Sequence, residues 1–264
     1  MSSDTGETGL DPQDWQAFRA SAHEMLDAAL DKMQNASDGR VWTPLPEAQK
    51  QEFRTPLPRA GASAEEVQDR IKALLPYGVG NTHPRFFGWV HGSGTPSNVI
   101  ADIAAAAMNA NLGGRDHGAM YVEKQVVEWC REIFGFPQGA SGLVVSGTSV
   151  ATIVALKTAR DRALDFGSRT QGVGTARLVG YTSEQTHSCV ARAFDILGLG
   201  SDALRKIPTD EAFRIDLEAL NKAIASDKAA GLRPFAVIGT AGAVNVGAID
   251  DLDALADIAR DEGL

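Results

Sequence analysis

Apolar residues follow a helical spacing in the N-terminal part of the chain. From residue 15 to residue 33 they recur every three or four positions, which predicts a long amphipathic helix. Asp11 and Pro12 are typical of an N-cap and a first helical position, so we expect the helix to begin there. Four prolines between residues 41 and 58 favour an extended arm without a helix. A helix followed by such an arm could reach across a dimer.

The same spacing predicts three more helices, and each has end signals of its own. Ser63 and Glu66 form a capping box at the start of the first. Thr95 and Pro96 begin the second, and Gly135 ends the third. The predicted ranges are 63–75, 95–109 and 122–134.

An aromatic segment, N-T-H-P-R-F-F-G-W-V-H-G at residues 81–92, has neither a helical nor a strand period. Its aromatic and histidine side chains lie between two glycine turns. Such a cluster forms either a small satellite core or the wall of a pocket. The residues alone leave both interpretations open.

Residues 141–157 contain a candidate anion-binding turn. The apolar run 143–145 predicts a short buried strand, which leads through Gly147, Thr148 and Ser149 into a helix. Unpaired N–H groups at the helix start, the helix dipole and two hydroxyls could hold an anion such as a phosphate. The alternative is plain N-capping, for which serine and threonine are common.

Strands and helices alternate in the rest of the chain. Strands are predicted at 176–181, 204–207 and 235–240, and helices at 187–197, 216–226 and 250–261. This order predicts an α/β fold with a mostly parallel sheet covered on both faces. Ligands of such sheets bind at the carboxyl ends of strands. The turn at Gly147, the segment before His187 and the loop 241–248 should therefore converge on one edge.

Composition narrows the class of ligand. The chain has 264 residues, 44% of them hydrophobic, and a formal charge of −9, which argues against nucleic acid and anionic membranes as partners. We expect a small-molecule ligand. The polar, acidic N-terminus and the lack of a span of about 20 apolar residues predict a cytoplasmic protein. Two cysteines and five histidines show no metal-ligand spacing, so reduced thiols and no metal site are expected.

Four segments together resemble the group II pyridoxal-phosphate-dependent decarboxylases, the family of aromatic amino acid and glutamate decarboxylases. H-P-R-F-F-G-W-V at 83–90 looks like the family's H-P-x-F-F, and S-G-T-S-V-A-T at 146–152 looks like its phosphate-binding G-[ST]-x-[ST]-x-A. S-E-Q-T-H-S-C-V-A-R-A at 183–193 is similar to its H-S-S-x-x-[KR]-A. T-A-G-A-V-N-V-G-A-I-D at 240–250 is similar to its T-x-G-T-T-x-x-G-x-x-D. Four motifs in the right order are far more specific than any one of them.

The resemblance implies a fold, a cofactor and a set of roles. The fold is that of the fold type I, aspartate aminotransferase-like enzymes, with a helical N-terminal arm at 1–94 and part of the large cofactor-binding domain at 95–264. Gly147, Thr148 and Ser149 would bind the phosphate of pyridoxal 5'-phosphate, and His187 would stack on its ring. Trp89, Val90 and His91 would face an amino acid substrate. The assembly would be a homodimer.

Two departures from the family pattern limit what this chain can do. Val244 replaces a threonine that touches the cofactor, and Asn245 beside it could compensate. No segment matches the family's H-[VI]-D-A or the H-K that supplies the Schiff-base lysine, and the eight lysines present lie elsewhere. No catalytic residue is therefore assigned in this chain, and it is expected to be inactive alone.

These observations predict the N-terminal part of a longer amino acid carboxy-lyase. The alternatives are a non-catalytic module that binds the cofactor or a partner, and a related carbon–carbon lyase. The isolated half-sheet would have an open edge, which predicts low solubility.

Overall fold

The computed structural model describes residues 11–88, 90–111, 113 and 115–264. The chain divides into two compact units, the first ending at Asn111 and the second ending at Leu264. This division places the helix that starts at Pro96 with the N-terminal helices. The functional boundary between 94 and 95 stays a prediction.

Helices make up the regular structure of the first unit. They are α1 (Trp15–Gln34), α2 (Glu47–Glu52), α3 (Ala64–Lys72), a 3-10 turn (Leu75–Tyr77) and α4 (Pro96–Met108). Ser63 caps α3 as predicted, because its Oγ accepts the N–H of Glu66 at 3.1 Å. Asn109 ends α4 in the left-handed conformation.

Two details of the N-terminal prediction are wrong. The N-cap of α1 is Asp14 and not Asp11, because the Asp14 carboxylate accepts the N–H groups of Gln16 at 2.8 Å and Ala17 at 3.0 Å. The proline-rich segment also contains a helix, α2, which begins directly after Pro46. Proline interrupts a helix only in its interior, and the prolines here flank α2.

The second unit alternates helices and strands, as the sequence predicts. Its elements are α5 (Gly118–Ile133), α6 (Thr148–Ala163), α7 (Ser168–Gln171), β1 (Leu178–Ser183), α8 (Cys189–Ile196), a 3-10 turn (Ser201–Ala203), β2 (Leu204–Ile207), α9 (Leu217–Ala229), β3 (Arg233–Ile238) and α10 (Leu252–Glu262). The three strands form a parallel sheet in the order β2-β1-β3.

Side chains alternate across β1 and build a core on each face of the sheet. On one face Leu178 packs with Phe194 and Phe235 and with residues of α6 and α8. On the other face Val179 and Tyr181 pack with residues of α9 and α10. Gly180 is required by this packing, since a Cβ there would lie 2.7 Å from Cζ of Phe194. The predicted α/β architecture with covered faces is confirmed.

The predicted strand at 143–145 is not part of the sheet in the described residues. Leu143 and Val144 are 58% and 59% exposed, and the N–H of Val144 donates to Oε1 of Glu123 at 2.9 Å. A strand needs a neighbouring strand to satisfy its backbone groups, and here a side chain takes that place. The apolar run was therefore insufficient to predict the strand.

Candidate functional site

The turn at residues 147–149 presents the N-terminus of α6. Gly147 is the N-cap, and its carbonyl accepts the first intrahelical hydrogen bond, from the N–H of Ala151 at 3.1 Å. No side chain in the described part of the chain caps this end, and Gly147, Thr148 and Ser149 are exposed. The N–H groups of the first turn have no acceptor within the helix. With the positive end of the helix dipole, they form a site suited to an anion.

Gly147 leaves free space beside this turn. Its backbone is extended, with φ 163° and ψ 169°, a conformation open to any residue. A Cβ built on it would meet nothing within 4 Å. The described structure therefore does not itself require glycine at this position.

His187 lies in the loop between β1 and α8, and its ring has a defined tautomer. Its Nδ1 accepts the N–H of Cys189 at 3.2 Å, so in the neutral ring the proton is on Nε2. The side chain is exposed. The N–H of Thr186 donates to the carbonyl of Ser183 at 3.1 Å, which holds this loop against the end of β1.

Contacts between α6 and α8 bring the 147–149 turn and His187 to the same end of the sheet. Oγ1 of Thr152 donates to the carbonyl of Thr148 at 2.8 Å and lies 3.8 Å from Sγ of Cys189. At the other end of the pair, the Arg160 guanidinium donates to the carbonyl of Leu197 at 2.9 Å. Thr152 thus links Thr148 in the first turn of α6 to Cys189, whose N–H orients the His187 ring.

The loop after β3 reaches the same edge. In the parallel pairing, Thr182 of β1 stands opposite Ile238 of β3, so the residues that follow both strands are neighbours. Asp250 is 4% exposed and fixes this loop, because its carboxylate accepts the N–H of Thr240 and the N–H of Ile215, both at 2.7 Å. The predicted convergence of the strand-end loops is confirmed for the loop after β1, which carries His187, and the loop after β3.

Val244 and Asn245, the positions that depart from the family pattern, are both exposed in this loop. Sequence reasoning missed a chain of three threonine hydroxyls at the same edge. Oγ1 of Thr186 lies 2.6 Å from Oγ1 of Thr182 and 3.1 Å from Oγ1 of Thr240. The available signal was a threonine near the end of β1 and another two residues after the end of β3, its parallel neighbour.

The substrate-side prediction concerns residues of the first unit. Trp89 lies outside the described residues. Val90 is 77% exposed, and the His91 ring packs edge-on against Phe86 with 5.4 Å between centroids. His83 is buried, and its Nδ1 accepts the N–H of Arg85 at 3.0 Å. A buried His83 agrees with the satellite-core interpretation of this segment. The exposed side chain of Val90 remains accessible to a ligand.

Two buried carboxylates stabilise the second unit near the sheet. Asp161 accepts hydrogen bonds from Lys157, from Arg160 at 2.8 Å and from Ser168 at 2.7 Å, and these bonds hold the pKa of its carboxyl below the usual range. Asp227 accepts from Tyr181 at 3.0 Å and from Arg205. Burial and this carboxylate raise the pKa of Tyr181. Both carboxylates are satisfied structural anions.

Comparison with known proteins decides the family. The model of the pyridoxal-dependent decarboxylase conserved domain matches residues 46–264. The chain belongs to this family. The family consists of pyridoxal-phosphate-dependent carboxy-lyases, and pyridoxal phosphate is the cofactor. The free N–H donors at the start of α6 fit its phosphate group.

Individual relatives agree with this assignment. An aromatic-L-amino-acid decarboxylase of Bacillus atrophaeus is 39% identical over 184 residues, covering 68% of this chain and 36% of the relative. A cysteine sulfinic acid decarboxylase of Rattus norvegicus is 29% identical over 242 residues, covering 91% of this chain and 49% of the relative. The chain therefore spans half or less of the length of these two relatives.

Solved structures show the same fold. The crystal structure of mouse CSAD superposes with a TM-score of 0.85 at 27% identity, covering 95% of this chain and 55% of that one. This confirms the predicted fold type I architecture. Within the described residues, no helix combines the length and apolar character needed to cross a membrane.

Proposed function

We propose that this chain supplies the phosphate- and ring-binding residues of a pyridoxal-phosphate-dependent amino acid decarboxylase. The observation that carries the proposal is the exposed, uncapped N-terminus of α6 beside the loop that bears His187. An anion and a flat ring attached to it could be held by these two elements together. The whole enzyme's activity on an amino acid is part of the same proposal.

In this proposal, residues 147–149 bind the cofactor phosphate. The backbone N–H groups of Thr148 and Ser149 and their hydroxyls donate to its oxygens, and the helix dipole favours its negative charge. A Cβ built on Gly147 would meet no atom within 4 Å, so the side of this turn is open to a ligand. Hydrogen bonds to a charged group contribute about 1.5–3 kcal/mol each.

His187 stacks on the cofactor ring in this proposal. Its Nδ1 is occupied by the N–H of Cys189, which fixes the plane of the imidazole. When bound, the cofactor would supply the electron sink that a decarboxylation needs. The residues of this chain hold and orient the cofactor, and none of its eight lysines lies in a segment that matches the family's covalent lysine.

The substrate side is proposed from the resemblance. Trp89, Val90 and His91 would form an apolar or aromatic wall for the amino acid side chain, and the exposed face of Val90 supports this role. Homodimerisation and a cytoplasmic location are proposed on the same basis. The relatives' names include aromatic and sulfinic amino acid substrates, so the residues described here support an amino acid in general.

Titration with pyridoxal phosphate tests the proposed cofactor site. We expect saturable binding, read by visible absorbance, and about tenfold weaker binding in Ser149→Ala, which loses one hydrogen bond to a charged group. His187→Leu should weaken binding and change the absorbance of the bound cofactor. The matched control is Ser226→Ala, a serine exposed on α9, which should bind as the wild type does. Equal affinity in Ser149→Ala and Ser226→Ala would refute the assignment of the phosphate site.

A further inference from the structure

Three threonine hydroxyls connect the loop after β1 with the loop after β3. Oγ1 of Thr186 lies between Oγ1 of Thr182, at 2.6 Å, and Oγ1 of Thr240, at 3.1 Å. Oγ1 of Thr182 donates in turn to the carbonyl of Ile238 at 3.2 Å. These hydrogen bonds join Thr240, just after β3, through Thr186 and Thr182 to Ile238 in β3.

The hydrogen bonds among these three threonine hydroxyls can point in only one direction. Each hydroxyl has a single proton, and Thr182 gives its proton to the carbonyl of Ile238. Thr186 must therefore donate to Thr182, and Thr240 must donate to Thr186. Hydrogen bonds aligned in this way polarise and strengthen one another.

Thr182 and Thr240, the outer two of the three threonines, are held firmly. Thr186 links them. Thr182 is 1% exposed within β1. Thr240 is fixed through its backbone N–H by the buried carboxylate of Asp250 at 2.7 Å. Thr186 lies in the loop and directly precedes His187 in the sequence.

We propose that Thr186 is a positioning residue whose hydroxyl fastens the His187 loop to Thr240 in the loop after β3 and thereby orients the His187 ring. Without that hydroxyl, the loop keeps its backbone hydrogen bonds, among them the Thr186 N–H bond to Ser183, but loses the hydrogen bond to Thr240. The bond from the Cys189 N–H to Nδ1 of His187 then becomes easier to open. The role of this ring towards the cofactor rests on the proposed function, whereas the fastening itself does not.

Substitution of Thr186 in the cofactor-free chain tests the proposal. Thr186→Val keeps the shape and removes the hydroxyl, and Thr186→Ser keeps the hydroxyl. We expect the Cys189 amide to exchange its hydrogen about three to ten times faster in Thr186→Val, the size of one hydrogen bond. The ring 15N shifts of His187 should also move away from the Nε2–H tautomer. Thr186→Ser should restore both readouts to within about twofold of the wild type.

The matched control is Thr158→Val, which removes an exposed hydroxyl that donates within α6, to the carbonyl of Val154 at 2.9 Å. It should leave both readouts unchanged. If Thr186→Val does not fold, Thr240→Val removes the other side of the same link and replaces it in the comparison. Unchanged exchange and unchanged ring shifts in the folded variant, or a serine variant that behaves like valine, would overturn the proposal.

The two proposals fail separately in this design. Exchange and ring shifts are measured without cofactor, so they report the fastening of the loop whether or not the chain binds pyridoxal phosphate. Suppose that Thr186→Val speeds Cys189 exchange and shifts the His187 ring signals, but the wild-type chain binds no cofactor. The positioning role of Thr186 would then stand, and the proposed cofactor site would be refuted. If the chain binds the cofactor but Thr186→Val changes neither readout, the cofactor site would stand and the positioning role would be refuted.

Discussion

The sheet and its flanking helices differ sharply in burial from the helices that precede them. Tyr181 of β1 and Phe194 of α8 are 0% exposed. By contrast, none of the helices α1 to α5 contains a buried residue, and Trp129 and Ile133 of α5 are 56% and 75% exposed. Both regions have apolar residues at regular spacing. Among the described residues, the two clusters of buried apolar side chains both lie around the sheet.

The difference shows what an apolar pattern can predict. Helix hydrogen bonds are local, so a stripe of apolar residues predicts a helix whether or not the stripe is covered. A buried core also needs partner elements on the other side of the stripe. The stripe on α5 predicts its helix correctly but does not predict burial.

Truncation of a core aromatic residue should separate the two regions most strongly. Phe194→Ala is expected to reduce the free energy of unfolding by about 3–5 kcal/mol, because it removes a fully buried ring. Phe134→Ala, at a ring that is 72% exposed, should cost less than about 0.5 kcal/mol. Urea unfolding of the two variants measures both values. Equal losses would show that the preceding helices have a core of their own.

Acid should weaken the second unit partly through Asp161. Its pKa is lower in the folded state than the usual 3.8, so its contribution is complete above about pH 4 and is lost as the pH falls towards the folded value. Asp161→Asn should therefore cost about 1–3 kcal/mol of unfolding free energy at pH 7 and less at pH 3.

Urea titrations at these two pH values measure the change. The control is Asp257→Asn, which removes an exposed carboxylate paired with Arg260 and should change the unfolding free energy at pH 7 less than Asp161→Asn does. A difference between wild type and Asp161→Asn that does not depend on pH would contradict the assignment.

A methyl group added at Gly147 should have the smallest effect on stability. The backbone is extended and a Cβ would meet nothing within 4 Å, so Gly147→Ala should change the unfolding free energy by less than about 0.5 kcal/mol. The same change should weaken pyridoxal phosphate binding, because it narrows the approach to the start of α6. Thermal melting and absorbance titration give the two results. A large loss of stability with unchanged binding would place the role of Gly147 in folding.

Sequence reasoning predicted the elements better than their pairing. It placed β1 at 176–181, whereas the strand is Leu178–Ser183, because pairing of Ser183 with Ile207 sets its end. It also predicted a strand at 143–145, where the N–H of Val144 is instead satisfied by Glu123. Both errors concern hydrogen bonds to distant residues, which local pattern does not contain.

The candidate site shows the same limit. The turn at Gly147 and the loop at His187 are visible as local motifs, and the structure brings them to one edge. The bond between Thr186 and Thr240 joins residues 54 positions apart, so no local pattern marks it. Only the parallel register of β1 and β3 makes these two residues neighbours.

Calorimetric titration with pyridoxamine 5'-phosphate and with pyridoxamine tests the phosphate site most directly. Neither compound has an aldehyde, so adducts with the eight lysines cannot contribute. If the start of α6 binds the phosphate, the phosphorylated compound should bind about tenfold tighter or more. Equal affinities, or no binding of either compound, would contradict the assignment of residues 147–149 as the phosphate site.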